Sequence, residues 1–158
     1  MAYPSKLLKK IILFFSMSYL FCGLSLVFAS DLQSPLGYWK TIDDVTNQPK
    51  SIVQIYTTRD QTINGRVIKL FPKPGEDPNR VCVACKGEKH NQKIAGMVVM
   101  EGMKADGNKW DGGRILDPKN GKTYRCTLRL IHGGHDLEVR GYIGIPVLGR
   151  TQVWERVG

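Results

Sequence analysis

The chain has 158 residues, 42% hydrophobic and 23% charged, with 23 Lys and Arg against 14 Asp and Glu for a formal net charge of +9. This is too apolar for a disordered chain, and its length suits one domain rather than several. The positive charge is scattered and never interleaves with aromatics in a basic run, so it describes a solvated face rather than a nucleic-acid groove.

The first thirty residues have the layout of an export signal. Lys6, Lys9 and Lys10 precede an apolar run from Ile11 to Phe28, and Val27-Phe28-Ala29 ends on the small residue of a cleavage site, which marks 1–29 as a signal peptide. A retained anchor is the rival reading, because the run approaches the ~18 to 20 apolar residues that span a bilayer. Cleavage leaves 30–158 as a single domain with a net charge of +6 and no transmembrane span, periplasmic or secreted. Export counts further against a nucleic-acid partner.

From Leu36 onward, short alternating segments separated by turn signals predict strands over Gly37 to Ile42, Ser51 to Tyr56, Thr62 to Lys69, Ile94 to Met100, Asn108 to Leu116, Thr123 to Ile131, Asp136 to Ile143 and Thr151 to Arg156. No segment carries a 3.6-residue apolar period over ten residues. The turns at Thr46 to Pro49, Thr58 to Gln61, Ala105 to Asn108 and His132 to His135 are short, so neighbouring strands pair antiparallel in a meander. The expected fold is all-β, a small barrel of about eight strands, closed because closure removes the edges.

The clearest hairpin is Trp110 to Leu130. Asp117-Pro118-Lys119-Asn120-Gly121 supplies its turn, and Tyr124, Cys126, Leu128 and Leu130 alternate with polar neighbours so that one face is committed to a core. Gly112-Gly113 interrupts the alternation before it and predicts a bulge or barrel corner. A long connection, Phe71 to Lys93, contains Pro72, Pro74, Pro78 and the Cys82-Val83-Ala84-Cys85 step. Irregular loops of this length in a compact domain usually bind something or are tied down.

Cys82 and Cys85 admit three uses: a disulfide that ties down the loop, a metal half-site to which His90 and Cys126 would have to contribute, or a redox thiol pair. For an exported chain the disulfide is the ordinary use. Cys126 shares a strand face with Tyr124 and Leu128 and reads as a buried thiol, although a bridge from Cys82 or Cys85 to Cys126 stays open. The glycines of His132-Gly133-Gly134-His135 suit a turn better than a metal site. No nucleophile triad, paired carboxylates or phosphate-cradling loop stands out, so no catalytic residue, metal or cofactor is assigned.

Gly37-Tyr38-Trp39 opens the first strand and Trp154-Glu155-Arg156 closes the last, a pairing that resembles the calycins, the lipocalin-type barrels in which a Gly-x-Trp packs near a basic residue from the chain's end. A second resemblance rests on Gly37 to Asp44, the CVAC step with Gly87, Trp110 to Gly113, Ile115 to Pro118 with Gly121 and Tyr124, Leu137 to Gly144, and Gly149 to Gln152 with Trp154. Together these are similar to an uncharacterised family of exported bacterial proteins, domain of unknown function 2147. That resemblance implies a bacterial envelope location and no activity.

The function expected is binding of a small apolar or amphipathic ligand in the barrel mouth, contacted by Tyr38, Trp39, Trp110 and Tyr142 under the 71–93 loop. Each of these aromatics also suits a plain core role. The alternative is an envelope interaction protein whose outer face, through Arg114, Arg125, Arg129 and Arg140, binds an acidic partner.

Overall fold

Eight antiparallel strands follow one another around a closed barrel in chain order. The computed structural model describes residues 33–158; the leader and its cleavage site lie outside the described residues. The strands are β1 (Gly37–Ile42), β2 (Pro49–Thr57), β3 (Ile63–Leu70), β4 (Val98–Asp106), β5 (Lys109–Asp117), β6 (Lys122–Ile131), β7 (Asp136–Tyr142) and β8 (Arg150–Val157). Closure is made where β1 pairs with β8, Tyr38 opposite Val157 through Thr41 opposite Trp154. The eight-strand meander is therefore as the alternation and turn spacing anticipate.

The fourth strand is the exception: it was expected at Ile94 to Met100 and instead runs from Val98 to Asp106. Ile94 to Met97 forms a turn, with Met97 N–H donating to the Ile94 carbonyl and Gly96 at φ +94. Gly102, a strand breaker by sequence, sits at φ +71 inside β4, and its N–H is satisfied by the Asn64 side chain at 2.9 Å. It acts as a bulge that turns both Met100 and Met103 to the core, where each is fully buried. The Gly112-Gly113 corner is as the sequence indicates: the β5–β6 register shifts between Trp110 and Gly113, and Gly112 takes φ +78. A Cβ on Gly113 would come within 2.3 Å of Met103 Sδ and 2.5 Å of the Glu101 carbonyl, so only glycine lets β4 and β5 approach here.

One half of the barrel is filled. Trp39, Ile55, Met100, Met103, Cys126, Leu128 and Leu137 are essentially inaccessible and plug the end at which β1 begins and β8 finishes. Trp39 Nε1 donates to the Pro35 carbonyl at 2.7 Å, and the Arg156 guanidinium stacks 4.3 Å from the Trp39 ring. Arg156 also donates to the carbonyls of Ser34, Leu36 and Gly134, sewing the N-terminal turn and the 132–135 turn onto the plug. The Gly-x-Trp and terminal arginine thus meet in the way the calycin resemblance implies.

Cys126 is a free, buried thiol, and burial, helped by the nearby Asp111 charge, pushes its pKa up to about 12. A chain of residues 30–158 is expected to show no reactive thiol while folded and one after denaturation. An aromatic-disulfide thiol assay with and without guanidinium checks this, and reactivity of Cys126 in the folded protein would contradict it.

Candidate ligand-binding site

The opposite end of the barrel is open. Four connections surround it: 43–48, 71–97, 118–121 and 143–149. Between them lies a cavity of about 1180 Å³ that reaches down the barrel axis. This exceeds the ~300 to 1,000 Å³ usual for small-molecule pockets. Val53, Val67, Val99, Ile115, Val139 and Trp154 line it, so its walls are mostly aliphatic. Most point inward because strand side chains alternate and these share a face with the plug residues below them, while Val99 faces in beside Met100 because the β3–β4 register shifts between Gly65 and Arg66.

A narrow polar strip interrupts the apolar wall. Thr41 and Ser51, both buried, share a hydrogen bond of 2.8 Å across β1 and β2, and Gln152 accepts at 3.2 Å from Trp154 Nε1. At the rim, Asp43 caps the first turn of its loop: Oδ1 accepts from the N–H of Thr46 at 2.9 Å and of Val45 at 3.1 Å. The Thr46 bond is the main cause that lowers its pKa to about 2. Asp44 hydrogen-bonds the Arg150 guanidinium, which holds its carboxyl below the usual range and clips the 43–48 loop to β8.

The long loop is tied down rather than loose. Cys82 and Cys85 form a disulfide, and a bridge between Val81 and Lys93 closes the excursion on itself. His90 Nδ1 lies 3.0 Å from the Cys85 carbonyl, and Lys89 Nζ donates to the Val98 carbonyl at 2.9 Å and to Glu101 at 2.6 Å. The disulfide turn rests on the β5–β6 hairpin: a Cβ on Gly121 would stand 1.8 Å from the Ala84 carbonyl oxygen, and Gly121 also holds φ +68. The hairpin glycine chosen by turn geometry is therefore also the seat of the loop.

Arg80 lies in this loop and lines the cavity. Its Nη1 pairs with Glu76 at 2.8 Å, while its Nε is buried and lacks a hydrogen-bond partner. Its side chain is 36% exposed, so the rest of the guanidinium, not the occluded Nε, is the part open to an acceptor at the cavity mouth.

The four aromatics singled out by sequence are not brought together. Tyr142 is buried and lines the cavity, alongside Tyr124. Trp39 lies in the plug, Trp110 packs against the core opposite Leu128, and Tyr38 is 45% exposed on the outside of β1; none of these three is part of the lining. Parity explains the difference between Tyr38 and Trp39, since adjacent strand residues face opposite ways. Of the outer arginines, Arg129 pairs with Glu138 at 2.8 Å, and Arg140 donates to the Pro146 and Val147 carbonyls and to Thr151. Arg114 and Arg125 stand opposite each other across β5 and β6, both exposed.

The cavity's aliphatic wall, the Thr41–Ser51 pair and Arg80 were not singled out by sequence reasoning. An inward valine bounding a cavity and one filling a core have the same pattern. His132 Nδ1 lies 2.6 Å from Asp136, within the turn expected there. Among the described residues no group of three or more His, Cys, Asp and Glu side chains converges as a metal site would require.

No curated protein matches the chain. Among solved structures, the barrel is similar to protein HP1028 from the human pathogen Helicobacter pylori, described as belonging to the lipocalin family, with a TM-score of 0.65 and 20% identity over 78% of this chain and 82% of that one. At that identity the likeness shows a shared fold, and the barrel is lipocalin-like. Residues 37–156 match a family described as an uncharacterized protein conserved in bacteria (DUF2147), and the chain belongs to that family.

Proposed function

We propose that this protein is an exported carrier or scavenger of a small amphipathic molecule, held with its apolar part in the barrel and its polar part toward Arg80. The observation that carries this reading is the cavity itself: about 1180 Å³, aliphatic in its walls and open at one end only. A cavity left this large in a barrel forgoes packing contacts that a filled core would supply, and occupancy by an apolar ligand restores them. The charged side chains of the lining are Lys50, Lys73, Arg80, Lys119 and Arg150 against Asp43, Glu76 and Asp117, an excess of positive charge that favours an anionic or strongly accepting head group. Export is supported by the leader pattern and by the Cys82–Cys85 disulfide, a bond that persists in oxidising compartments.

The test is displacement of an environment-sensitive apolar dye by alkyl carboxylates, alcohols and amines of matched chain length. All three chains are expected to compete, the carboxylate best and the amine worst, and Arg80→Gln should shrink the carboxylate's advantage over the alcohol by about tenfold, the ~1.4 kcal/mol scale of one charge-assisted hydrogen bond. Failure of the protein to take up dye or chain would overturn the reading. Equal competition by all three heads would remove Arg80 from it.

A further inference from the structure

The rim of the open end is apolar where a soluble barrel has no structural need for it. Of the eleven large apolar side chains that stand exposed among the described residues, seven lie on the loops of this end: Val45, Val81, Val83, Ile143, Ile145, Val147 and Leu148. Those at 143–148 are 59% to 79% exposed, Val83 69% and Val45 80%. Scattered exposed aliphatics are ordinary, but a cluster gathered at one pole of a molecule marks a surface that meets something apolar.

The 143–149 loop does not need these side chains to fold. Arg140, on the outer face of β7, holds it through the Pro146 and Val147 carbonyls, and Gly149 lets the chain turn back against β7, since a Cβ there would stand 2.8 Å from the Gly141 carbonyl. Its aliphatic side chains are thus held exposed by a scaffold made of other groups, Ile143 and Leu148 at the cavity mouth and Ile145 and Val147 outside it. Lys73, Lys86 and Lys119 stand exposed on the neighbouring loops, outside the ion pairs that Arg80 makes with Glu76 and Lys50 with Asp43. Aliphatic tips flanked by Lys73, Lys86 and Lys119, with Asp77 and Glu88 the exposed acids of the long loop outside the Arg80–Glu76 pair, suit an anionic lipid surface, where the tips enter the acyl boundary and the ammonium groups stay with the head groups.

We infer that the open end docks on an anionic lipid bilayer, mouth toward the membrane. A bilayer suits this rim better than a protein partner. The aliphatic tips are divided among three loops around an open cavity, and none of them is a Trp or Tyr of the kind that anchors protein interfaces. Docking in this pose sets the cavity against an apolar phase.

Flotation of the leader-cleaved protein with phosphatidylglycerol vesicles and with phosphatidylcholine vesicles tests the inference. The wild type is expected to float with phosphatidylglycerol, less with phosphatidylcholine, and to be weakened by salt. The triple variant I145S, V147S and L148S should lose about tenfold or more of its vesicle partitioning, and I68S, on the barrel wall, should lose none. An unchanged thermal melt of the triple variant shows that the loss belongs to the rim. A wild type that stays with the soluble fraction, a triple variant that floats as well as wild type, or a rim-dependent homodimer by light scattering without flotation would each overturn the inference. Dye uptake into the cavity is read separately in the wild type and in the double variant I145S and V147S, which leaves the cavity-lining Leu148 in place, so failure of membrane docking leaves the ligand-binding reading to its own test.

Discussion

Replacing Trp39 by alanine is expected to lower unfolding free energy by about 3 to 5 kcal/mol, the range for deleting a fully buried large aromatic. Trp39 is wholly inaccessible, donates to the Pro35 carbonyl at 2.7 Å and carries the Arg156 guanidinium on its face. Alanine removes the packing and the cation–π contact, and it leaves the Pro35 carbonyl to find another donor. Small domains have about 5 to 15 kcal/mol in total, so the variant should unfold at much lower denaturant. Trp39→Phe keeps most of the buried area and should cost a smaller part of this. Because Trp39 is in the plug and not the lining, dye affinity of Trp39→Phe should match wild type. Guanidinium unfolding followed by far-UV circular dichroism checks the first expectation, and a loss below about 1 kcal/mol for alanine would contradict it.

Val139→Trp is expected to have the opposite profile: near-normal stability and strongly reduced ligand binding. Val139 is buried on the inward face of β7 and lines the cavity, between Leu128 on β6 and Gln152 on β8. Overpacking a filled core costs about 1 to 3 kcal/mol, but here the larger ring has open space to enter. Filling it should hold the melting temperature or raise it while lowering apolar dye affinity by about tenfold or more. A variant that folds and still binds dye at wild-type affinity would place the ligand elsewhere.

These two positions also show how much the sequence could reveal. Strand alternation, turn residues and the Gly112-Gly113 break were enough for the barrel, its meander and the inward Cys126, because each rests on local geometry. The run of β4 was not legible, since its passage through Gly102 is accompanied by a hydrogen bond to the Asn64 side chain on β3, a contact 38 residues away. The cavity lining is the hardest part to read. Tyr38, Trp39 and Trp110 stand out in the sequence as large aromatics on strands, whereas the plug takes Trp39 and the cavity wall is built mainly from valines and isoleucine. Which half of the barrel is filled depends on how Met100, Met103, Ile55 and Leu137 pack, and no single strand encodes that. One signal was available and unused: Ile143-Gly144-Ile145-Pro146-Val147-Leu148 is an apolar connection between two strands, where a loop is ordinarily polar.

Native mass spectrometry of the protein and of Val139→Trp, each purified under gentle conditions from the producing cells, addresses the cavity directly. Wild type should carry a noncovalent adduct at one per chain that is released by organic extraction and rebinds, and Val139→Trp should be bare or much less loaded. Wild type at its bare mass that also takes up no added alkyl chain, or equal loading of both proteins, would contradict a ligand held in the barrel.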